Sequence, residues 1–180
     1  VEPETGEQFR EGEPDALRRI IQEYQAAMYR LGLRIFGQAA DAQDFVQDLF
    51  LHIYEKRRLY HPDRPFRPWL YRVAMNLARG RQRRKREYPW ETLPEKPQDG
   101  RAEDLVLAEE RDRRVGKALQ RCRPLAREIL ALRFETGASL AEMAEILGIS
   151  LGTVKSRLSR ALEDFQRCYL ALGGDAHDLP

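Results

Sequence analysis

From Asp15 to about Phe36, apolar side chains fall at Leu17, Ile20, Ile21, Tyr24, Met28, Leu31 and Ile35. That three-and-four spacing predicts an amphipathic helix, which Gly37 stops. Asp41 is placed to cap a second helix reaching about Arg58, with Phe45, Val46, Leu49, Phe50 and Ile53 as its core stripe. The next nine residues, Tyr60–Pro68, hold three prolines and read as an aromatic loop. A third helix is expected over about Trp69–Arg86, ending in RGRQRRKR, where six of eight residues are basic. Periodicity then stops. Residues 88–102 carry Pro89, Pro94, Pro97, Gly100, Glu91, Glu95 and Asp99, and read as an extended acidic linker. At about 3.3 Å per residue this linker could span roughly 50 Å. Four further helices are expected at Glu103–Cys122, Pro124–Glu135, Leu140–Leu147 and Leu151–Leu172, closed by Gly173-Gly174. The pattern predicts an all-α chain. A flexible N-terminal arm (1–14) leads into one small helical domain (15–87). The acidic linker joins it to a second (103–172), and a tail (173–180) follows.

The most informative stretch is SLAEMAEILGISLGTVKSRLSRAL at Ser139–Leu162. Leu140, Met143, Ala144 and Leu147 give its first helix an apolar face. Gly148 suits the left-handed turn, and Ser150 can cap the second helix. There Val154, Leu158, Ala161 and Phe165 share the inner side. Gly152, Thr153, Ser156, Ser159 and Arg160 share the outer side, flanked by Lys155 and Arg157. This is a helix-turn-helix (winged-helix-like) domain whose second helix suits the DNA major groove. Small hydroxyl side chains permit close approach, and Arg can bond a guanine edge or a phosphate. The alternative is a helical hairpin that merely packs, but the outer face lacks acid until Glu163, which favours DNA.

Composition narrows the classes. With 180 residues, 42% hydrophobic and 33% charged, the chain can bury small cores beneath a very polar surface. Its net charge of +2 conceals local segregation and decides little. Cys122 and Cys168 are far apart in sequence and form no CxxC pair; both read as free thiols of a reducing cytosol, with a disulfide or redox switch as the lesser reading. His52, His61 and His177 are scattered, so neither metal nor cofactor is implied. No apolar run would span a membrane or serve as a secretory signal, and a cytoplasmic protein is expected.

Aromatic residues Tyr60, Phe66, Trp69 and Tyr71 beside a basic helix end suit single-stranded DNA, where rings stack bases and Arg holds phosphate. The second domain suits duplex DNA. Three segments carry a resemblance to a known family: DAQDFVQDLFLHIY at Asp41–Tyr54, RPFRPWLYRVAMNLAR at Arg64–Arg79, and LAEMAEILGISLGTVKSRLSRAL. In this order and spacing the chain resembles bacterial RNA polymerase sigma factors of the sigma-70 family, specifically the compact extracytoplasmic-function (ECF) subgroup. The likeness spans about Ala16–Arg86 and Glu103–Leu170.

The resemblance implies roles for particular residues. Asp44, Gln47 and Asp48 would dock on the β′ clamp of core polymerase; read alone, a solvated polar face explains the same trio. Tyr60–Pro68 would capture an unstacked base of the −10 element, with Tyr60 and Phe66 in its surface and Asn76 near the base. Extruding a base costs a few kcal/mol that such a pocket must offset. Phe66 and Trp69 could equally be core, and for Trp69 core is the better reading. Arg79, Arg81, Arg83 and Arg84 would hold phosphates, or simply form a solvated basic helix end. Gly80 departs from the acidic residue of many relatives, and a kink or fray is expected there. The −35 duplex would be read by Arg133, Ser156, Ser159 and Arg160, with Thr153 and Lys155 beside them. Partners implied are core polymerase through β′ and β, promoter DNA, and an anti-sigma factor.

Two other readings compete. An ordinary helix-turn-helix regulator with a receiver would need strand-like apolar runs before the second domain, and none occur. A helical nuclease would need carboxylates or histidines clustered on the basic face, whereas the acids lie on the docking helix and linker. No Gly-rich phosphate loop is present, so a non-enzymatic protein is expected, with melting driven by binding.

Overall fold

The computed structural model describes residues 3–87 and 106–175. The linker expected at 88–102 lies outside the described residues, so its extension and charge have no structural counterpart here. Eight α-helices are present among the described residues, and no strand: α1 (Pro3–Glu11), α2 (Pro14–Phe36), α3 (Ala39–Glu55), α4 (Phe66–Glu87), α5 (Val106–Arg121), α6 (Pro124–Thr136), α7 (Leu140–Leu147) and α8 (Leu151–Leu170). A short 3-10 turn at Arg57–Leu59 follows α3.

Helices α1–α4 form the first unit, with α2 packed on α3 and α1, and α3 on α4. Ile20, Met28, Leu31 and Ile35 of α2 meet Phe45, Leu49 and Ile53 of α3 in a fully buried core. Helices α5–α8 form the second, in which α8 is the central rod against α5, α6 and α7. The helix-turn-helix carries no β-wing among the described residues.

Four local expectations change. Residues 3–11, expected as loose arm, are helical because Phe9 is fully buried in the first core. Gln38, not Asp41, occupies the N-cap of α3; Asp41 lies in the first turn, where a carboxylate complements the helix dipole. α4 starts at Phe66 rather than Trp69, because Pro68 falls in its first turn, where a missing N–H leaves no bond unmade. It also runs unbroken through Gly80 to Glu87, and nothing lies within 4 Å of where a Cβ would stand on Gly80. The propensity cost of about 1 kcal/mol is therefore absorbed without a kink.

The two units are also in contact. α2 packs on α5 and α6, α4 packs on α7, and their apolar residues form one continuous cluster.

Candidate nucleic-acid and polymerase interfaces

On α3, Ala42, Phe45, Leu49 and Ile53 face the core, which turns Asp44, Gln47 and Asp48 to solvent together. Leu51, 64% exposed, continues the same face one turn on. Sequence reasoning passed over it, because an isolated exposed leucine carries no pattern. Asp48 is not isolated: Arg81 of α4 bonds its Oδ2, with Nε at 3.2 Å. The expected phosphate-holding Arg81 is thus tied to the expected docking face, and its Nη1 also reaches the Asp41 carbonyl at 3.4 Å.

The aromatic loop departs furthest from expectation. Tyr60 and Phe66, expected on a strand-binding surface, are only 2% and 3% exposed. Their rings lie 5.2 Å apart, with Trp69 within 5.4 Å of both and Phe9 of α1 closing the group. α1 covers the aromatic faces, which places Tyr60 and Phe66 in the core. Trp69, read as core, is half-buried in the same cluster. Burial raises the Tyr60 hydroxyl above its ordinary value, with Asp63 adding to the effect, so it stays protonated. That hydroxyl donates to the Arg64 carbonyl at 2.9 Å and pins the loop. What the loop offers outward is His61, Asp63, Arg64 and Pro65, all exposed. Alternation around the buried rings could have suggested these, had the rings been read as a floor.

Along α4, Asn76, Arg83 and Arg84 are exposed, while Arg79 is half-buried and donates from Nε to Glu128 Oε2 of α6 at 2.8 Å. Arg79 is thus tied to α6, whereas Arg83 and Arg84 face solvent.

The helix-turn-helix is built as its sequence suggests. Ser139 and Glu142 form a reciprocal capping box: Glu142 N–H donates to Ser139 Oγ at 3.2 Å, and Ser139 N–H to Glu142 Oε2 at 2.8 Å. The Ser139 N–H, and then the Ser139 hydroxyl, hold the Glu142 carboxyl below its usual range. Gly148 takes the left-handed turn at φ 65°, and Ser150 Oγ accepts from Thr153 N–H at 3.1 Å. Val154 and Ala161 are buried, which turns Lys155, Ser156, Arg157, Ser159 and Arg160 outward. Three residues are partly committed elsewhere, Ser156 among them, whose hydroxyl donates to the Thr153 carbonyl at 3.1 Å. The Thr153 hydroxyl shares a 2.8 Å bond with Ser150, and Arg133 Nη1 bonds the Ala138 carbonyl, fastening the α6–α7 turn.

Cys122 is buried and Cys168 half-buried, both as free thiols. Burial, then the neighbouring Cys168, pushes the Cys122 thiol up to about 12. Iodoacetamide at pH 8 is expected to modify Cys168 in the native chain and spare Cys122 until denaturant is added. Equal labelling of both by peptide mass spectrometry would contradict that protection. Among the described residues no group of three His, Cys, Asp or Glu is placed to hold a metal, and no helix is long and apolar enough to cross a membrane.

The geometry combines a polar outer face on α3, a basic helix beside a pinned loop, and a second helix of the helix-turn-helix whose hydroxyl and basic residues face outward. The sigma-70 region 2 model matches residues 20–88, and the sigma-70 region 4 model matches residues 118–166. The chain is 28% identical over 172 residues to the ECF RNA polymerase sigma factor SigW of Bacillus subtilis, covering 89% of this chain and 92% of that protein. It is 31% identical over 165 residues to the ECF RNA polymerase sigma factor SigL of Mycobacterium tuberculosis, covering 87% and 90% respectively. The solved structure of CnrH in complex with the cytosolic domain of CnrY is similar at a TM-score of 0.71 and 26% identity, covering 94% of this chain and 97% of that one. With regions 2 and 4 in order and nearly the whole length of such relatives matched, the chain belongs to the ECF subgroup of sigma-70 RNA polymerase sigma factors, which direct promoter-specific transcription initiation.

Proposed function

We propose that this non-catalytic polymerase subunit divides its work among three surfaces. Asp44, Gln47 and Asp48, extended by Leu51, dock on the β′ clamp. Ser156, Ser159 and Arg160 read the −35 duplex, with Lys155 and Arg133 at flanking phosphates and Thr153 holding the helix start. Asn76, Arg79, Arg83 and Arg84 hold the −10 strand beside the loop tip His61–Pro65. Tyr60 and Phe66 act there as the floor that fixes the loop, not as stacking partners. The observation that carries the reading is the exposed Ser156-Ser159-Arg160 face on a helix whose other side is buried, in a chain that also carries region 2. Base contacts from such a face supply specificity, and the arginines supply salt-dependent affinity.

The test is run-off transcription. Core polymerase plus this chain, offered a library of promoter fragments, is expected to yield transcripts sharing two upstream elements; no transcripts and no core binding would refute the reading. Asp44→Arg/Gln47→Arg is expected to weaken core binding by about 30-fold or more with the circular dichroism unchanged, since both residues are exposed. Asp48 is left in place because it also anchors Arg81. Such a subunit acts in the cytoplasm, and a second protein, an anti-sigma factor, is a fitting partner, as CnrH is held with the cytosolic domain of CnrY.

A further inference from the structure

Cys122 and Cys168 take no part in the three surfaces proposed above, yet the fold sets them side by side. Cys122 closes α5: its N–H donates to the Ala118 and Leu119 carbonyls at 3.2 and 3.1 Å, and its thiol donates to the Ala118 carbonyl at 3.2 Å. Arg127 Nη2 holds the Cys122 carbonyl at 3.2 Å, so the junction between α5 and α6 is fixed from both sides. Cys168 lies on α8 one turn beyond Asp164, on the same face. Asp164 accepts from the N–H of Arg123, the residue after Cys122, at 3.0 Å. That bond seats the end of α5 against this face of α8. Both cysteines pack in the same apolar cluster, and their thiols meet within hydrogen-bonding reach.

The two thiols differ in access. Cys122 is 3% exposed, whereas Cys168 is half-buried and can be reached from solvent. An accessible thiol with a second thiol beside it is the arrangement in which oxidation stops at a disulfide instead of running on to sulfinic acid. We propose that Cys122 and Cys168 form a peroxide-oxidisable dithiol that closes to a disulfide within the folded second domain. The Cys168 thiolate attacks one peroxide oxygen and the O–O bond breaks. Cys168 becomes a sulfenic acid, and the departing hydroxide takes up the proton that the thiol gave up and leaves as water. The Cys122 sulfur then attacks the Cys168 sulfur and expels its hydroxyl, which leaves as a second water with the Cys122 proton. The thiols together lose two electrons and two protons, and one hydrogen peroxide is reduced to two waters. Burial keeps Cys122 protonated, so the second step is the slower one and the sulfenic acid precedes the disulfide. The ring so closed contains α6, α7 and the reading part of α8. The bond therefore restricts the unfolded second domain and adds a covalent tie beside the Asp164–Arg123 bond.

Timed oxidation of the full chain tests this. The native protein is treated at pH 8 with excess hydrogen peroxide, sampled, quenched with iodoacetamide and mapped by peptide mass spectrometry without reductant. Dimedone in a parallel reaction is expected to trap Cys168 early. In its absence a Cys122–Cys168 cross-linked peptide is expected to replace the free thiols, with the chain monomeric on a non-reducing gel. The oxidised second domain is expected to melt about 5 °C or more above the reduced one, a rise that dithiothreitol reverses. Cys122→Ala, which keeps that site apolar, is expected to leave Cys168 open to dimedone throughout and to abolish the rise. Cys168→Ser is expected to leave Cys122 unmodified in the native chain. A cross-link formed only between chains, wild-type Cys168 running on to sulfinic acid with no cross-link, or an oxidised domain that melts no higher than the reduced one overturns the proposal.

Discussion

Phe9→Ala is expected to destabilise the first domain by about 3–5 kcal/mol, the usual cost of truncating a fully buried phenylalanine, and so to lower its melting temperature by about 15 °C or more. Phe9 has no exposed surface and sits edge-on to Phe66, ring centroids 5.6 Å apart, with Trp69 at 6.0 Å and Tyr60 at 6.4 Å. A nine-residue helix is marginal by itself, so α1 depends on this contact. Gly6 brings the same helix onto the loop: a Cβ there would stand 3.0 Å from the Tyr60 ring. Losing Phe9 therefore frees α1 and uncovers Tyr60 and Phe66, and open-complex formation on duplex promoters should fall with stability. Phe9→Leu should recover most of both. Thermal melting of the three proteins decides the matter; a change below about 1 kcal/mol for Phe9→Ala would show that α1 is not integral to the core.

Asp164→Ala should cost the second domain about 2 kcal/mol, within the range for hydrogen bonds to a charged partner. Asp164, on α8, accepts from the backbone N–H of Arg123 at 3.0 Å, and Arg123 is the N-cap residue of α6 with no side-chain cap of its own. One helix thus caps another across the domain. Arg167 Nη2 bonds the second carboxylate oxygen at 3.0 Å. The backbone bond from Arg123 is the main reason that the Asp164 carboxyl lies below its usual range; the arginines add to it. The sign of the pH dependence follows. A depressed folded pKa means that the stabilisation is complete above the unfolded value, near pH 4, and is lost as pH falls through the lower folded value. Glu142, held down by the Ser139 amide, acts in the same direction. Acid titration of stability should therefore decline from about pH 4 downward, and Asp164→Asn should flatten the decline while keeping part of the cap. An unchanged acid profile in Asp164→Asn would count against the assignment.

The second domain was largely legible because its signals are local. Ser139 and Glu142 make a capping box three residues apart, Gly148 ends one helix, and Ser150 starts the next. The outward set Ser156, Ser159 and Arg160 followed from a wheel alone. What stayed hidden depends on distant partners. Phe9 lies in a polar, glycine-containing segment with no apolar periodicity, and only rings more than fifty residues away make it core. Glu128 looks like any surface glutamate on α6, and its partner Arg79 lies 49 residues earlier on a different domain. Tyr60 and Phe66 were misplaced for the same reason: exposure of an aromatic loop depends on what covers it. The misassigned cap at Asp41 is a smaller matter, a shift within one turn that side-chain preference alone does not fix.

α8 is a single helix of twenty residues, about 30 Å long. Ser156, the farthest of the three residues proposed to read DNA, lies about 12 Å along it from Asp164, which is tied to the start of α6. A tilt of about 10° pivoted at Asp164 would displace Ser156 by about 2 Å over that distance, enough to break a direct base contact. Substitutions around Asp164, which touch no DNA, should therefore blur promoter discrimination before they abolish binding.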